Sequence, residues 1–186
     1  MNSWSLPKTA MIGGREYKLR CDFRDVLKIF SYFGDPDLAD VLKWQIALFL
    51  FYEGEIPQEH RGEAMAFLAD FITCGKKETK AAPRLLDWEQ DANIIIGEVN
   101  RVAGCEIREK PFIHWWTFLS YFHAIGEGQL SFIVSLRQKR LRREKLSEWE
   151  QRYYAENREV VELKPKYSRE ETAEKERLLR LLTNTN

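Results

Sequence analysis

The sequence predicts a mainly α-helical protein with an N-terminal β-hairpin, a compact multi-helix bundle and a charged C-terminal helical extension. Three observations predict it. A Gly13-Gly14 dipeptide separates two short segments near the start, apolar residues then recur at i, i+3, i+4 and i+7, and capping signals with mixed charge fill the last part of the chain. With 186 residues, 44% of them hydrophobic and 13% aromatic, the chain can bury enough apolar surface to offset the entropy of ordering, which excludes a disordered protein. The length fits one domain with an appendage. The divisions read as 1–21 for the hairpin, 22–145 for the helical body and 146–186 for the extension.

Thr9 to Ile12 and Arg15 to Arg20 flank the glycine pair, which supplies the positive φ of a two-residue turn. Tyr17 and Leu19 alternate with Glu16, Lys18 and Arg20, as on a half-exposed strand. A lone hairpin is marginal and must pack on the body.

Asp22 caps a first helix with Phe23, Val26, Leu27 and Phe30 on one face, and Gly34-Asp35-Pro36 ends it. Asp37 is placed to cap the second. Its later half (Trp44, Ile46, Leu48, Phe49, Phe51, Tyr52) is apolar nearly all round, which predicts a buried central helix. A third helix carries Met65, Leu68, Phe71 and Ile72 and stops at Gly75. Lys76 to Pro83 reads as a linker. A fourth helix begins at Asp87 and carries Trp88, Ala92, Ile95 and Val99, with Gly104 as its stop. Pro111 opens a fifth, aromatic helix through Phe122. After Gly126-Glu127-Gly128 a sixth holds Leu130, Ile133, Val134 and Leu136 and runs into a basic segment. Ser147 with Glu150, and Ser168 with Glu171, have capping-box spacing, and Lys164-Pro165-Lys166 interrupts the helix between them. The last helix carries Leu178, Leu179, Leu181 and Leu182.

The 29 basic and 29 acidic residues cancel, but unevenly. Residues 1–136 hold 15 basic and 19 acidic side chains, the segment Arg137 to Lys145 holds six basic and one acidic, and the segment from Ser147 onward holds 8 and 9. The basic collar invites a nucleic-acid reading. The acidic body opposes a polyanion partner, and the acids of the extension are placed to pair with the collar.

No stretch reaches the roughly 18–20 apolar residues that cross a bilayer; the longest apolar run is Ile46 to Tyr52. No secretory leader is visible, and Cys21, Cys74 and Cys105 form neither a disulfide framework nor a metal pair, which fits a reducing compartment. The chain lacks GxSxG, GxxxxGK[ST], GxGxxG and HExxH. His60, His114 and His123 are not at ligand spacing, and the last two read as hydrogen-bonded structural residues on the aromatic helix. Asp87 to Glu98 imitates a calcium loop, but Ala92 occupies the position that must turn sharply, so these residues read as a helix with acids at its start. The expectation is a non-enzymatic protein with no cofactor and no metal.

The densest feature is the block from Pro111 to Phe122. Rings at this density are most often core, but an aromatic surplus is also what the hot spots of interfaces look like. Trp115, Trp116, Phe118, Tyr121 and Phe122 are therefore candidate partner-binding residues, together with Arg137, Lys139, Arg140, Arg142 and Arg143 of the collar.

The order of these signals resembles a family of small proteins from tailed phages and prophages of Gram-positive bacteria, whose genes lie among tail-morphogenesis genes near the tape measure gene. The matching residues are Ile12-Gly13-Gly14-Arg15-Glu16-Tyr17, Asp22 to Leu27, Gly34-Asp35-Pro36-Asp37-Leu38, Phe67 to Gly75, Asp87 to Ile96, His114-Trp115-Trp116-Thr117-Phe118 and Leu136 to Leu141. The resemblance spans residues 9–167, and the tryptophan block is its most specific part. It implies a tail assembly chaperone or accessory factor that coats the tape measure protein in the host bacterial cytoplasm and leaves before or as the tail tube forms. It carries over no catalytic residue. A structural virion component and a nucleic-acid-binding regulator are the alternatives, and self-association is compatible with each.

Overall fold

In the computed structural model, which describes residues 4–75, 83–171 and 173, Gly13 and Gly14 turn the chain with φ of 55° and 76°. These are the two left-handed residues that a tight hairpin requires. Strand β1 (Thr9–Ile12) pairs antiparallel with β2 (Arg15–Lys18), Thr9 opposite Lys18 and Ile12 opposite Arg15. Ala10, Ile12, Tyr17 and Leu19 face inward and are buried. The turn is docked as well as tight. The Gly13 N–H donates to Glu63 Oε2 at 2.9 Å, and a Cβ on Gly13 would lie 2.3 Å from the His60 ring.

Helix α1 (Phe23–Phe33) starts at Asp22, whose carboxylate accepts from the Arg24 N–H, and ends at Gly34. Helix α2 (Asp40–Phe51) begins at Ala39, later than an Asp37 cap predicts. Asp37 is drawn off: its N–H donates to Asp35 Oδ1, and its own carboxylate accepts from the Arg169 N–H. Helix α3 (Arg61–Ile72) follows a 3₁₀ turn. Gly75 has the predicted left-handed φ, 73°, and the neighbouring Cys74 shares it at 53°.

Helix α4 (Ala92–Ala103) starts five residues after Asp87 and stops at left-handed Gly104. The preceding acids build turns. The Asp87 carboxylate accepts from the N–H groups of Glu89 and Gln90, and Asp91 accepts from the Asp87 N–H. Burial pushes the Asp87 carboxyl up, but the Gln90 N–H, Arg84, Lys166 and the Glu89 N–H outweigh it and hold the pKa at about 2.

Helix α5 (Trp115–His123) begins at His114 rather than Pro111, because the residues before it are held extended against the start of α1. Ile113 N–H donates to Asp22, Phe23 N–H donates to the Ile113 carbonyl, and Trp115 N–H donates to the Cys21 carbonyl. Helix α6 (Gln129–Leu141) runs into the collar. Helices α7 (Glu148–Glu156) and α8 (Arg158–Val161) follow, with the Ser147–Glu150 capping box formed in both directions. The Ser168–Glu171 box is also formed, and the Leu178–Leu182 stripe lies outside the described residues.

The core centres on α5. Trp115, Trp116, Phe118 and Leu119 are buried, Phe118 stacks on Phe23 with centroids 4.7 Å apart, and Trp88 lies against Trp115, Phe118 and Phe122. The two indoles do more than fill space. Trp115 Nε1 donates to the Ile72 carbonyl at 3.0 Å and Trp116 Nε1 to the Phe71 carbonyl at 2.8 Å, so they satisfy the open end of α3.

The segment after the collar folds back on this core. Val161 is buried, the Gln90 amide donates to the Glu159 and Glu162 carbonyls, and Arg84 donates to the Lys164 carbonyl.

Candidate functional site

The ten residues singled out from the sequence fall into three environments. Trp115, Trp116 and Phe118 are core, and Tyr121 and Phe122 are half-buried against it. The aromatic block is therefore spent on holding α1, α3 and α4 together, and its tryptophans do not face solvent.

The collar is divided. Arg137 is buried with a side-chain exposure of 5%, and it forms a bidentate pair with Asp91, Nη1 to Oδ2 at 2.7 Å and Nη2 to Oδ1 at 2.8 Å. Its remaining donors reach the carbonyls of Leu85, Val160 and Val161. Outside the core, Lys139 pairs with Glu150 at 2.6 Å, Arg140 with Glu162 at 3.5 Å, and Arg142 with Glu144 at 3.7 Å. Arg140 also lies over the Tyr154 ring, 4.0 Å from its centroid. Arg143 adopts a left-handed φ of 56° just beyond the end of α6. Four of the collar's cations are thus matched by nearby carboxylates, which removes much of the positive field that the sequence suggested.

The acids of the calcium-like stretch are committed in the same way, Asp91 to Arg137 and Asp87 to Arg84 and Lys166. Among the described residues no group of three or more His, Cys, Asp or Glu side chains is arranged to hold a metal. His114 is the cap of α5: its Nδ1 accepts from the Trp116 N–H at 3.1 Å, so Nε2 carries the proton and donates to the Pro7 carbonyl at 2.9 Å. Burial pushes the ring below its ordinary pKa, and nearby Lys8 acts in the same direction against the Pro7 hydrogen bond.

The surface that remains open lies on α2, and it overturns the expectation that α2 is buried all round. Val41 is 71% exposed and Phe49 77%, with Leu42 and Gln45 also exposed beside them. Ala47, Leu48 and Phe51 point inward. α2 packs on α1 and α3, and no other described element covers its outer side. At 1.5 Å per residue the ridge from Val41 to Phe49 is about 12 Å long.

Next to Phe49 the ridge opens into a cleft of about 490 Å³. Leu48, Tyr52 and Ile56 give it an apolar lining, and Arg20, Arg61, Gln45 and Glu55 give it polar edges. Tyr52 is fixed, since its hydroxyl donates to the Ala64 carbonyl at 2.9 Å and burial pushes its pKa well up. Arg20 closes the C-terminal end of α2, where its Nη1 donates to the carbonyls of Phe49 at 2.8 Å and Tyr52 at 2.9 Å. Arg61 makes no side-chain hydrogen bond or ion pair among the described residues. Its half-buried stem helps line the cleft.

Sequence reasoning placed none of these residues in a site. The available signal was an α2 too apolar to possess a polar side, combined with a body too small to cover every face of two such helices.

The described residues thus form a helical scaffold with a closed aromatic core and an apolar ridge left open on α2. The chain belongs to the bacteriophage Gp15 protein family, whose model matches residues 4–163. No curated protein and no solved structure matches it.

Proposed function

We propose that this phage protein is a non-enzymatic tail assembly chaperone or accessory factor that binds the tape measure protein in the host cytoplasm during tail morphogenesis. The observation that carries the reading is the exposed ridge of Val41, Leu42 and Phe49 on α2. Exposing large apolar side chains in a row is unfavourable unless a partner covers them. A long, amphipathic, aggregation-prone client offers matching apolar faces, and the charged surface around the ridge keeps the unbound factor soluble. The resemblance to proteins encoded near the tape measure gene supplies the identity of the client.

The buried titratable side chains have structural duties. His114 caps α5, Asp91 neutralises Arg137, and Asp87 organises the entry to α4. The pairing of Lys139, Arg140 and Arg142 with acids weighs against a nucleic-acid regulator.

The test is co-expression with the tape measure protein followed by pull-down. A complex is expected, and Phe49→Ala together with Val41→Ser should abolish it. A tape measure protein that is not retained sinks the proposal. Mass spectrometry of purified virions separates a chaperone, which is absent from the particle, from a structural component, which is present.

A further inference from the structure

Two features beside the cleft run against the stability of the isolated chain, and they lie together. Phe49 leaves its aromatic side chain largely exposed to water. Arg61 places a cation at the first position of α3, the positive end of the helix dipole, with no carboxylate in contact among the described residues. Elsewhere Arg24, Arg84, Arg101, Arg108, Arg137 and Lys139 have carboxylate partners, whereas Arg15, Lys18, Lys28 and Arg152 form no ion pair among the described residues. Arg20, on the same cleft, donates through Nη1 to carbonyls and forms no ion pair among the described residues, although its charge is felt by the Asp25 carboxylate. Among the residues that line the cleft, the two arginines outnumber the single acid, Glu55.

We infer that the cleft and ridge take an amphipathic helix whose apolar anchors are flanked by carboxylates, the anchors lying along Val41, Leu42 and Phe49 and entering the cleft over Leu48 and Ile56, with the carboxylates meeting Arg61 and Arg20. This rests on the reading of the α2 face as a binding surface, and it adds the chemistry of the partner. A ridge of about 12 Å matches apolar side chains at i, i+4 and i+7 of a facing helix. Arg61, uncommitted and half-buried, offers the planar fork that a carboxylate fills in two places. Desolvation by the apolar walls strengthens that contact over one made in open water. A partner helix that presents lysines to this edge meets two arginines and is rejected.

The probes are two synthetic helical peptides of about 18 residues, five turns. Both carry leucine at i, i+4 and i+7. One has glutamate at the flanking positions and the other lysine. Fluorescence anisotropy with the full chain should show the glutamate peptide binding at least about tenfold more tightly, a difference of about 1.4 kcal/mol that shrinks as salt is raised. Arg61→Glu should erase the preference, Arg61→Lys should retain part of it, and Phe49→Ala should weaken both peptides. Arg61→Glu removes a cation from a helix start, so its thermal unfolding is expected to be unimpaired, and loss of binding then reports on the cleft. Equal binding of the two peptides, binding of neither, or a preference that survives Arg61→Glu overturns the inference. A stable dimer of the full chain that Phe49→Ala dissociates also overturns it, because a second copy would then be the occupant. If the tape measure protein is captured but the peptides are not discriminated, the partner chemistry is wrong and the chaperone reading stands. Discrimination without capture gives the reverse.

Discussion

Helices α2 and α5 are made of similar material and have opposite fates. Each is dominated by large apolar and aromatic side chains, yet α5 is closed on by α1, α4 and the end of α3, whereas α2 is gripped by α1 and α3 and left open outside. The difference lies in neighbours, not composition. In α5 even the polar atoms of the tryptophans work inward, capping α3. In α2 the outermost ring, Phe49, has water where α5 has Trp88 and Phe23. Aromatic density marks where this molecule is most solid, and the less conspicuous helix is the one left open.

The sharpest way to break this comparison is to cut one large side chain from each helix. Trp115→Ala should cost about 3–5 kcal/mol, since it opens a cavity in the centre of the core and strands the Ile72 carbonyl. Urea unfolding measures it, and a cost below about 1 kcal/mol would place the core elsewhere.

Arg137→Ala follows. It leaves Asp91 buried without its cation and releases the carbonyls of Val160 and Val161, for a loss of about 3–5 kcal/mol. Because those carbonyls hold the segment after the collar, hydrogen exchange at residues 157–163 should rise before the body melts. Exchange that rises uniformly would show that the segment is not held by this pair.

These effects show which parts of the molecule were legible. The hairpin, the Asp22 cap, the Gly104 stop and the Ser147–Glu150 box could be read because each is settled within a few residues. The starts of α4 and α5 were misplaced because distant atoms decide them, among them the Asp22 carboxylate that holds Ile113 extended. Arg137 read as one more cation of a solvated collar, because its partner Asp91 lies 46 residues away. The open face of α2 was invisible for the same reason: an apolar helix looks buried until the number of elements available to cover it is known.

A pH titration sharpens the comparison within α5. The folded pKa of His114 is below its unfolded value, so its contribution is complete above about pH 6.5 and is lost as pH falls through and below that value, where the unfolded chain takes up the proton first. Protonation would also put a second N–H where Nδ1 must accept from Trp116. His114→Asn keeps an acceptor at the cap and removes the titration. Its urea midpoint should change less between pH 7.5 and 5.5 than that of the parent protein. Equal changes in the two would assign the acid sensitivity to other groups.

The smallest stability effect belongs to Phe49, and it is the most informative. Phe49→Ser removes a ring that is 77% exposed, so little burial is lost and unfolding should shift by no more than about 0.5 kcal/mol. Serine and phenylalanine have similar helix propensities, and the position lies in the last turn of α2, where Arg20 still closes the helix through main-chain carbonyls. The fold should therefore be retained in full while capture of the tape measure protein fails. Trp115→Ala gives the opposite signature, in which capture is lost in proportion to unfolding. If Phe49→Ser instead destabilised the chain as much as a core substitution, the ring would be covered by the protein itself, and the two helices would be alike after all.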